Sequence, residues 1–199
     1  MGRGVSGVFA RTDSAATLLT PQEMRDLIPA HVAYRSELNE AEQENIARAQ
    51  EWALGRRREL LTQKFITDLH RRMLGDVWRW AGKFRTTARN IGIDHWLIPV
   101  ELRKLLDDCA AWIGFAAYPF DEIAVRLHHR LTWIHPFPNG NGRHARLMAD
   151  LLVMRLGCER FSWGRVSLRD PGVTRQRYID ALRAADNHDI RPLIEFSRA

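Results

Sequence analysis

The chain has 199 residues, of which 45% are hydrophobic, and it carries a formal net charge of +6. This length and apolar content are enough to bury a full hydrophobic core, which excludes a disordered chain. The positive charge admits nucleic acid, an anionic nucleotide or an acidic protein as a partner and does not distinguish among them. No run of about eighteen apolar residues occurs, so no membrane span is predicted. Two cysteines without a disulfide or zinc pattern favour a reducing, cytoplasmic setting.

Local patterns divide the chain into two parts. Residues 1–19 lack the apolar stretch of a secretory signal and are predicted to form a flexible tail. Residues 20–199 are predicted to form a single domain. The spacing of Thr20, Pro21 and Glu23 is that of a capping box and predicts a short helix. The segment Ser36–Leu54 begins with acidic residues and is followed by arginines, which predicts a helix over 36–54.

Most of the remaining chain has helical periodicity, with one interruption. The segment Thr62–Gly75 begins with an N-cap threonine and ends with a glycine, as helices do. Further helical patterns begin at Val100, Asp121, Gly142, Thr174 and Asp189. The interruption is Trp78–Pro99, where glycine and threonine break the helical period while Ile91, Ile93 and Trp96 suit an extended ribbon. The predicted class is therefore mainly α, a helical bundle with a short β-hairpin.

The stretch His135–Arg146 concentrates polar chemistry at one helix entrance. Asn139 and the glycines after it predict a tight turn, because Asn and Gly readily adopt positive φ. The helical pattern resumes at Gly142, so the turn leads into a helix N-terminus, whose N–H groups and dipole attract anions. Arg143 and Arg146 lie one turn apart and can both contact a phosphate there. His135 borders the same turn and is a candidate general base.

Each of these features has an ordinary structural explanation when it stands alone: a packed histidine, a loop, and surface charge. Their conjunction favours a phosphate site. The stretch "HPFPNGNGRHAR" resembles the signature of the Fic family, His-Pro-Phe-x-(Asp/Glu)-Gly-Asn-Gly-Arg-x-x-Arg, at every defined position except the acidic one, which is Asn139 here.

The resemblance extends beyond this motif, from Ser36 to the C-terminus. "WAGKFR", Trp80–Arg85, is similar to the lead-in to the family's hairpin flap. The flap edge, where a target protein would add as a strand, then falls at Asn90, Ile91, Gly92, Ile93 and Asp94. "ELNEAEQENI" and "YIDALRAAD" resemble a bacterial subgroup labelled mobile mystery protein B.

The resemblance implies that a Fic-type domain transfers AMP from ATP to a Ser, Thr or Tyr hydroxyl of a target protein, with release of pyrophosphate. His135 would deprotonate the hydroxyl. The residues implied to hold ATP are Phe137, which also anchors the loop in the core, Asn139, Gly140, Asn141, Gly142, Arg143 and Arg146. A sister branch that phosphorylates its target has Ala-Asn-Lys where this chain has Gly-Asn-Gly, so the glycines favour AMP transfer.

Asn139 is the departure from the family pattern. The family's Asp or Glu at this position binds Mg²⁺ on the phosphates, whereas an amide offers only a neutral oxygen. The expected cofactors are therefore ATP and a weakly held Mg²⁺, with Asn139 as the metal residue.

The resemblance also implies an inhibitory helix with the pattern (Ser/Thr)-x-x-x-Glu-(Gly/Asn), whose glutamate pairs with the second motif arginine. Two imperfect matches occur in the first predicted helix. Glu44 is followed by Asn45 but lacks the preceding Ser or Thr, and Glu40 follows Ser36 at the right spacing but precedes Ala41. We favour Glu44 as the partner of Arg146. Alternatively, these acids only complement the helix dipole.

Three functions remain in competition at this point. The leading one is an autoinhibited protein adenylyltransferase, with ATP, a hydroxyl-bearing protein and a small antitoxin-like or regulatory protein as partners. The main alternative, motivated by Asn139, is a catalytically weak Fic-like module that binds a nucleotide or a partner. A DNA-binding protein fits the charge but lacks a helix-turn-helix contact pattern. A zinc site is disfavoured because the spacing of the histidines matches no zinc motif; these are His128, His129, His135 and His144.

Overall fold

The computed structural model describes residues 25–29, 35–164 and 171–199. These segments contain seven α-helices, which confirms the predicted mainly α class. They are α1 (Arg35–Leu54), α2 (Gln63–Leu74), α3 (Ile98–Gly114), α4 (Phe120–Ile134), α5 (Asn141–Arg155), α6 (Pro171–Asp186) and α7 (Arg191–Arg198). The predicted tail and the helix expected at Thr20 lie outside the described residues. Among the described helices, none has the length and apolar run that a membrane span requires.

The ends of α2 follow from local chemistry. The Thr62 hydroxyl accepts the Phe65 N–H at 3.1 Å, which caps the first turn. At the other end, the Gly75 N–H donates to the Arg71 carbonyl at 2.7 Å. A Cβ atom at Gly75 would lie 2.4 Å from that carbonyl oxygen, so the helix can end here only because the residue has no side chain.

Helix α5 is the centre of the core. It is buried on every face, as expected for a helix surrounded by the others. Its most extensive partner is α4, while α1 packs mainly on α2, and α6 on α7. Because α5 is enclosed in this way, its N-terminus has a fixed position between α1, α2 and the end of α4.

The predicted β-hairpin does not form. Between residues 79 and 94 the chain consists of turns and bends, and the β-bridge found among the described residues joins Leu27 to Trp78. The carbonyls of Thr87 and Ile93 accept hydrogen bonds from the Arg85 side chain. An arginine side chain therefore takes the place of strand pairing in this segment.

Candidate active site

His135 lies where α4 ends. Its backbone is left-handed, with φ 53° and ψ 60°. Pro136 follows it, and a residue that precedes proline is driven out of the helical region. The His135 N–H still donates to the Leu131 carbonyl at 3.1 Å, so the backbone of His135 stays attached to the helix terminus.

The imidazole of His135 is buried and neutral at physiological pH. His135 is 5% exposed. Burial lowers the pKa of its imidazole to about 4, and the charge of Arg85 contributes to the lowering. Nδ1 lies 3.3 Å from the Thr132 carbonyl, a contact that places the ring proton on Nδ1. Nε2 is then the lone-pair nitrogen, which is the form that a general base requires.

The loop from His135 to Gly140, here called the motif loop, is held by two side chains that were predicted to bind ATP. The ring of Phe137 is fully buried and stacks on His70, with 3.6 Å between ring centroids. The Asn141 amide closes the loop, since Oδ1 accepts the Phe137 N–H at 2.9 Å and Nδ2 donates to the Phe137 carbonyl at 2.8 Å. Both side chains therefore shape the loop from inside, and a direct contact of either with ATP stays a prediction.

His70 supports the motif loop from below, a role that the sequence analysis missed. Its Nδ1 accepts the Gly82 N–H at 2.9 Å, so Nε2 carries the proton and donates to the Asn139 carbonyl at 3.0 Å. Burial holds the pKa of His70 well below its usual value, which keeps this tautomer uncharged. At Gly140, with φ of +78°, a Cβ would lie 2.6 Å from a Leu74 methyl, so only glycine fits.

The N-terminus of α5 has the features expected of an anion site. Its N-cap residue, Gly140, makes no side-chain cap hydrogen bond, so it leaves the first-turn N–H groups uncapped. A Cβ at Gly142 would lie 3.8 Å from Arg146 Nη1 and 3.9 Å from the Tyr178 hydroxyl, which places both groups beside the helix entrance. The Arg146 guanidinium lies over the Tyr178 ring, 5.4 Å from its centroid. The sequence analysis did not single out Tyr178.

Glu42 is the acid that reaches the motif, which corrects the prediction for Glu44 and Glu40. Glu42 Oε2 pairs with Arg143 Nη1 at 2.6 Å, and Oε1 accepts the Trp78 indole N–H at 2.7 Å. Glu40 and Glu44 are exposed on α1, and within the described chain neither pairs with Arg146. Residues two positions apart in an α-helix are separated by about 200° around its axis. Glu42 therefore faces away from both Glu40 and Glu44.

A signal for Glu42 was present in the sequence. Glu42 and Asn45 occupy the buried stripe of α1 between Leu38 and Ala49, at the spacing i, i+4, i+7, i+11. A buried acid in an apolar stripe requires a partner, and Arg143 and Trp78 supply it.

The residues predicted as the flap, Asn90–Asp94, are here called the flap segment. They lie beside His135, and most of their surface faces solvent. Gly92 has φ of +93°, and a Cβ there would lie 2.5 Å from His135 Cβ. The structure therefore brings the flap segment, the base and the anion site into one location, although the flap segment is not a strand.

The motif loop offers no carboxylate to a magnesium ion. The Asn139 side-chain oxygen already accepts the Gly140 N–H at 2.6 Å, and it is a neutral ligand. Within residues 25–29, 35–164 and 171–199, no group of three or more His, Cys, Asp or Glu side chains could hold a metal. The histidines considered for zinc have separate partners: His128 contacts Tyr178, His129 pairs with Asp186, and His144 is buried beside the Ile66 carbonyl.

Comparison with known proteins agrees with this geometry. Residues 60–153 match the model of the Fic/DOC family. The protein adenylyltransferase fic-1 of Caenorhabditis briggsae is 35% identical over 136 residues, which cover 66% of this chain and 25% of the relative. The protein adenylyltransferase Fic of Aedes aegypti is 33% identical over 143 residues, 69% of this chain and 27% of the relative. The chain thus spans about a quarter of the length of these relatives.

Solved structures share the fold. The Fic-1 E274G structure from C. elegans has a TM-score of 0.62 and 27% identity, and the match covers 79% of this chain and 48% of that one. BepC of Bartonella tribocorum, solved with bound AMPPNP, has a TM-score of 0.66 and 16% identity, and covers 90% of this chain and 97% of that one. The family match and the motif at the entrance of α5 identify residues 60–153 as a domain of the Fic/DOC family.

Proposed function

We propose that this chain is a protein adenylyltransferase that transfers AMP from ATP to a hydroxyl group of a target protein. The observation that carries the proposal is the neutral imidazole of His135 beside the N-terminus of α5, where Arg143 and Arg146 also lie. Relatives at 33–35% identity are named protein adenylyltransferases, and a structure of the same fold holds AMPPNP. These likenesses support ATP as the nucleotide.

The proposed reaction uses groups of this chain. His135 Nε2 takes the proton of the target hydroxyl, while Nδ1–H remains bonded to the Thr132 carbonyl. The oxygen attacks the α-phosphorus, the bond from that phosphorus to the bridging oxygen of the β-phosphate breaks, and pyrophosphate leaves. General-base assistance contributes about 10²–10⁴-fold to the rate. The α5 N–H groups, Arg143 and Arg146 stabilise the negative charge on the phosphates.

We infer that the resting protein is restrained by Glu42. Arg143 is the first motif arginine, and in this structure its guanidinium is paired with Glu42. ATP phosphates would need the same donors, so Glu42 and the nucleotide compete for them. The predicted autoinhibition by an α1 glutamate is thus retained as a proposal, with Glu42 in place of Glu44.

A Fic-like module that binds a nucleotide without efficient transfer is the second candidate, because Asn139 supplies no carboxylate at the phosphate loop. The two functions differ in turnover and not in ATP binding. The small regulatory partner and the cytoplasmic setting remain predictions from the sequence.

The experiment is a labelling assay with α-labelled ATP, Mg²⁺ and a cell lysate, together with a tagged His135→Ala copy of this chain as a defined acceptor. We expect the wild type to label protein bands and the His135→Ala enzyme to label none, while both bind ATP with similar affinity in calorimetry. His188→Asn is the control, because His188 is exposed and its positive φ is tolerated by asparagine. ATP binding without labelling by either the wild type or Glu42→Gln, which removes the proposed restraint, would support the binding module instead.

A further inference from the structure

Arg85 is buried, at 2% exposure, between the motif loop and the flap segment. Its guanidinium donates to backbone carbonyls, and none of the described residues forms an ion pair with it. Burying a cation without a carboxylate in direct contact is costly, so this arrangement calls for a role beyond core packing. Burial lowers the pKa of Arg85, the neighbouring Arg89 lowers it further, and the more distant Asp94 opposes the lowering.

On one side, Arg85 binds three consecutive carbonyls around the general base. Its backbone N–H donates to Pro136 at 2.9 Å, Nε donates to His135 at 2.7 Å, and Nη2 donates to Ile134 at 3.4 Å. These carbonyls enclose the left-handed residue His135, whose conformation is strained for a non-glycine residue and therefore needs support from its surroundings.

On the other side, the same guanidinium binds the two ends of the turn that carries the flap segment. Nη1 donates to the Thr87 carbonyl at 3.0 Å, and Nη2 donates to the Ile93 carbonyl. Gly92 then approaches so closely that a Cβ would lie 3.0 Å from Arg85 Nη2 and 2.5 Å from His135 Cβ. One planar group therefore sets the distance between the flap segment and the base.

We propose that Arg85 is a positioning residue for the proposed AMP transfer, which holds the flap segment and His135 in a single relative geometry. A target hydroxyl delivered along the flap segment then arrives in line with Nε2. The planar fork of arginine is required because its donors diverge toward both sets of carbonyls, whereas a lysine ammonium is a single point. The expected effect of Arg85 on AMP transfer rests on the proposed function. Its expected effect on the flap segment and the motif loop does not.

The structural consequence is tested first, without any activity. Amide hydrogen exchange is measured by mass spectrometry on the full chain for wild type, Arg85→Lys and the matched control Arg79→Lys, an exposed arginine of the same segment. We expect peptides over 86–94 and over 134–140 to lose protection together in Arg85→Lys, while α3 and α5 exchange as in the wild type. If Arg85→Lys loosens α3 or α5 as well, Arg85→Gln, which keeps two donors without the charge, gives the same test.

The catalytic consequence is read from AMP transfer to the tagged His135→Ala acceptor at varied concentration. We expect kcat to fall about 10²-fold in Arg85→Lys, the effect of a misplaced reacting group. ATP affinity should stay within about threefold, because the phosphate donors are elsewhere. A kcat within about twofold of the wild type, or loosening of only one of the two segments, would overturn the proposal. A Glu42→Gln enzyme that binds ATP but labels nothing would refute AMP transfer, and the exchange experiment would still decide the role of Arg85.

Discussion

Replacing Glu42 with glutamine should release Arg143 for the nucleotide. Glutamine keeps a carbonyl oxygen for the Trp78 indole N–H, so the buried contact at 2.7 Å can persist. The substitution removes the negative charge that pairs with Arg143 at 2.6 Å. The change therefore separates the competition for Arg143 from the packing of α1.

The magnitude follows from the strength of the contact that ATP must displace. A hydrogen bond to a charged group contributes about 1.5–3 kcal/mol, and the Glu42 side chain is only 9% exposed, so solvent screens it little. Its removal should raise ATP affinity by about ten- to hundredfold, since about 1.4 kcal/mol corresponds to a factor of ten. Glu42→Ala should give the same gain but lower the free energy of unfolding by about 1–3 kcal/mol, because it leaves the Trp78 N–H without an acceptor.

The assay combines calorimetry with ATP, labelling with α-labelled ATP, and urea unfolding. Glu44→Gln is the matched control, because Glu44 lies exposed on the same helix and should leave all three measurements unchanged. Unchanged ATP affinity and labelling in Glu42→Gln would show that Glu42 does not compete with the nucleotide. A gain in Glu44→Gln would restore the original assignment of the inhibitory residue.

Three further predictions concern pH, metal and the flap segment. Burial lowers the pKa of His144 to about 4 and that of His128 to about 3, so the unfolded chain binds more protons as pH falls below 6.5. The free energy of unfolding should be highest above that pH and decline toward pH 4, with a loss of about 2 kcal/mol per histidine at pH 5. Equal urea midpoints at pH 5 and 7.5 would contradict this. Asn139→Asp should lower the Mg²⁺ concentration that half-saturates labelling, because it adds a carboxylate at the motif loop. Asn139→Gln, the control, should leave that concentration unchanged. An unchanged Mg²⁺ requirement in Asn139→Asp would count against this prediction. Gly92→Ala should reduce AMP transfer by about 10²-fold through displacement of the flap segment. Gly157→Ala is the control for backbone strain, because Gly157 has φ of +89° but no atom lies within 4 Å of the added Cβ. If the two variants reduce AMP transfer equally, the flap segment has no part in the mechanism.

Helices and the site motif could be predicted because their causes are local. The cap of α2 at Thr62, the stop at Gly75 and the periodicity of α5 depend on residues within a few positions of each other. The turn at Gly140 is likewise required by the conformations that asparagine and glycine adopt. The β-hairpin that was predicted but does not form shows the limit of such patterns. Its sequence favours extended strands, but the carbonyls of Thr87 and Ile93 accept hydrogen bonds from the Arg85 side chain and not from a second strand.

The mainly helical class, the turn that leads into α5 and the choice of His135 as candidate base could be predicted from local patterns. Folding of the whole chain determines which acid reaches the motif, what supports the loop and what joins the flap segment to the base. Glu42 and Arg143 are 101 residues apart in the chain, and Arg85 and His135 are 50 apart. Contacts at such separations depend on which helix faces meet, and that choice is made by packing the whole core and not by any local pattern.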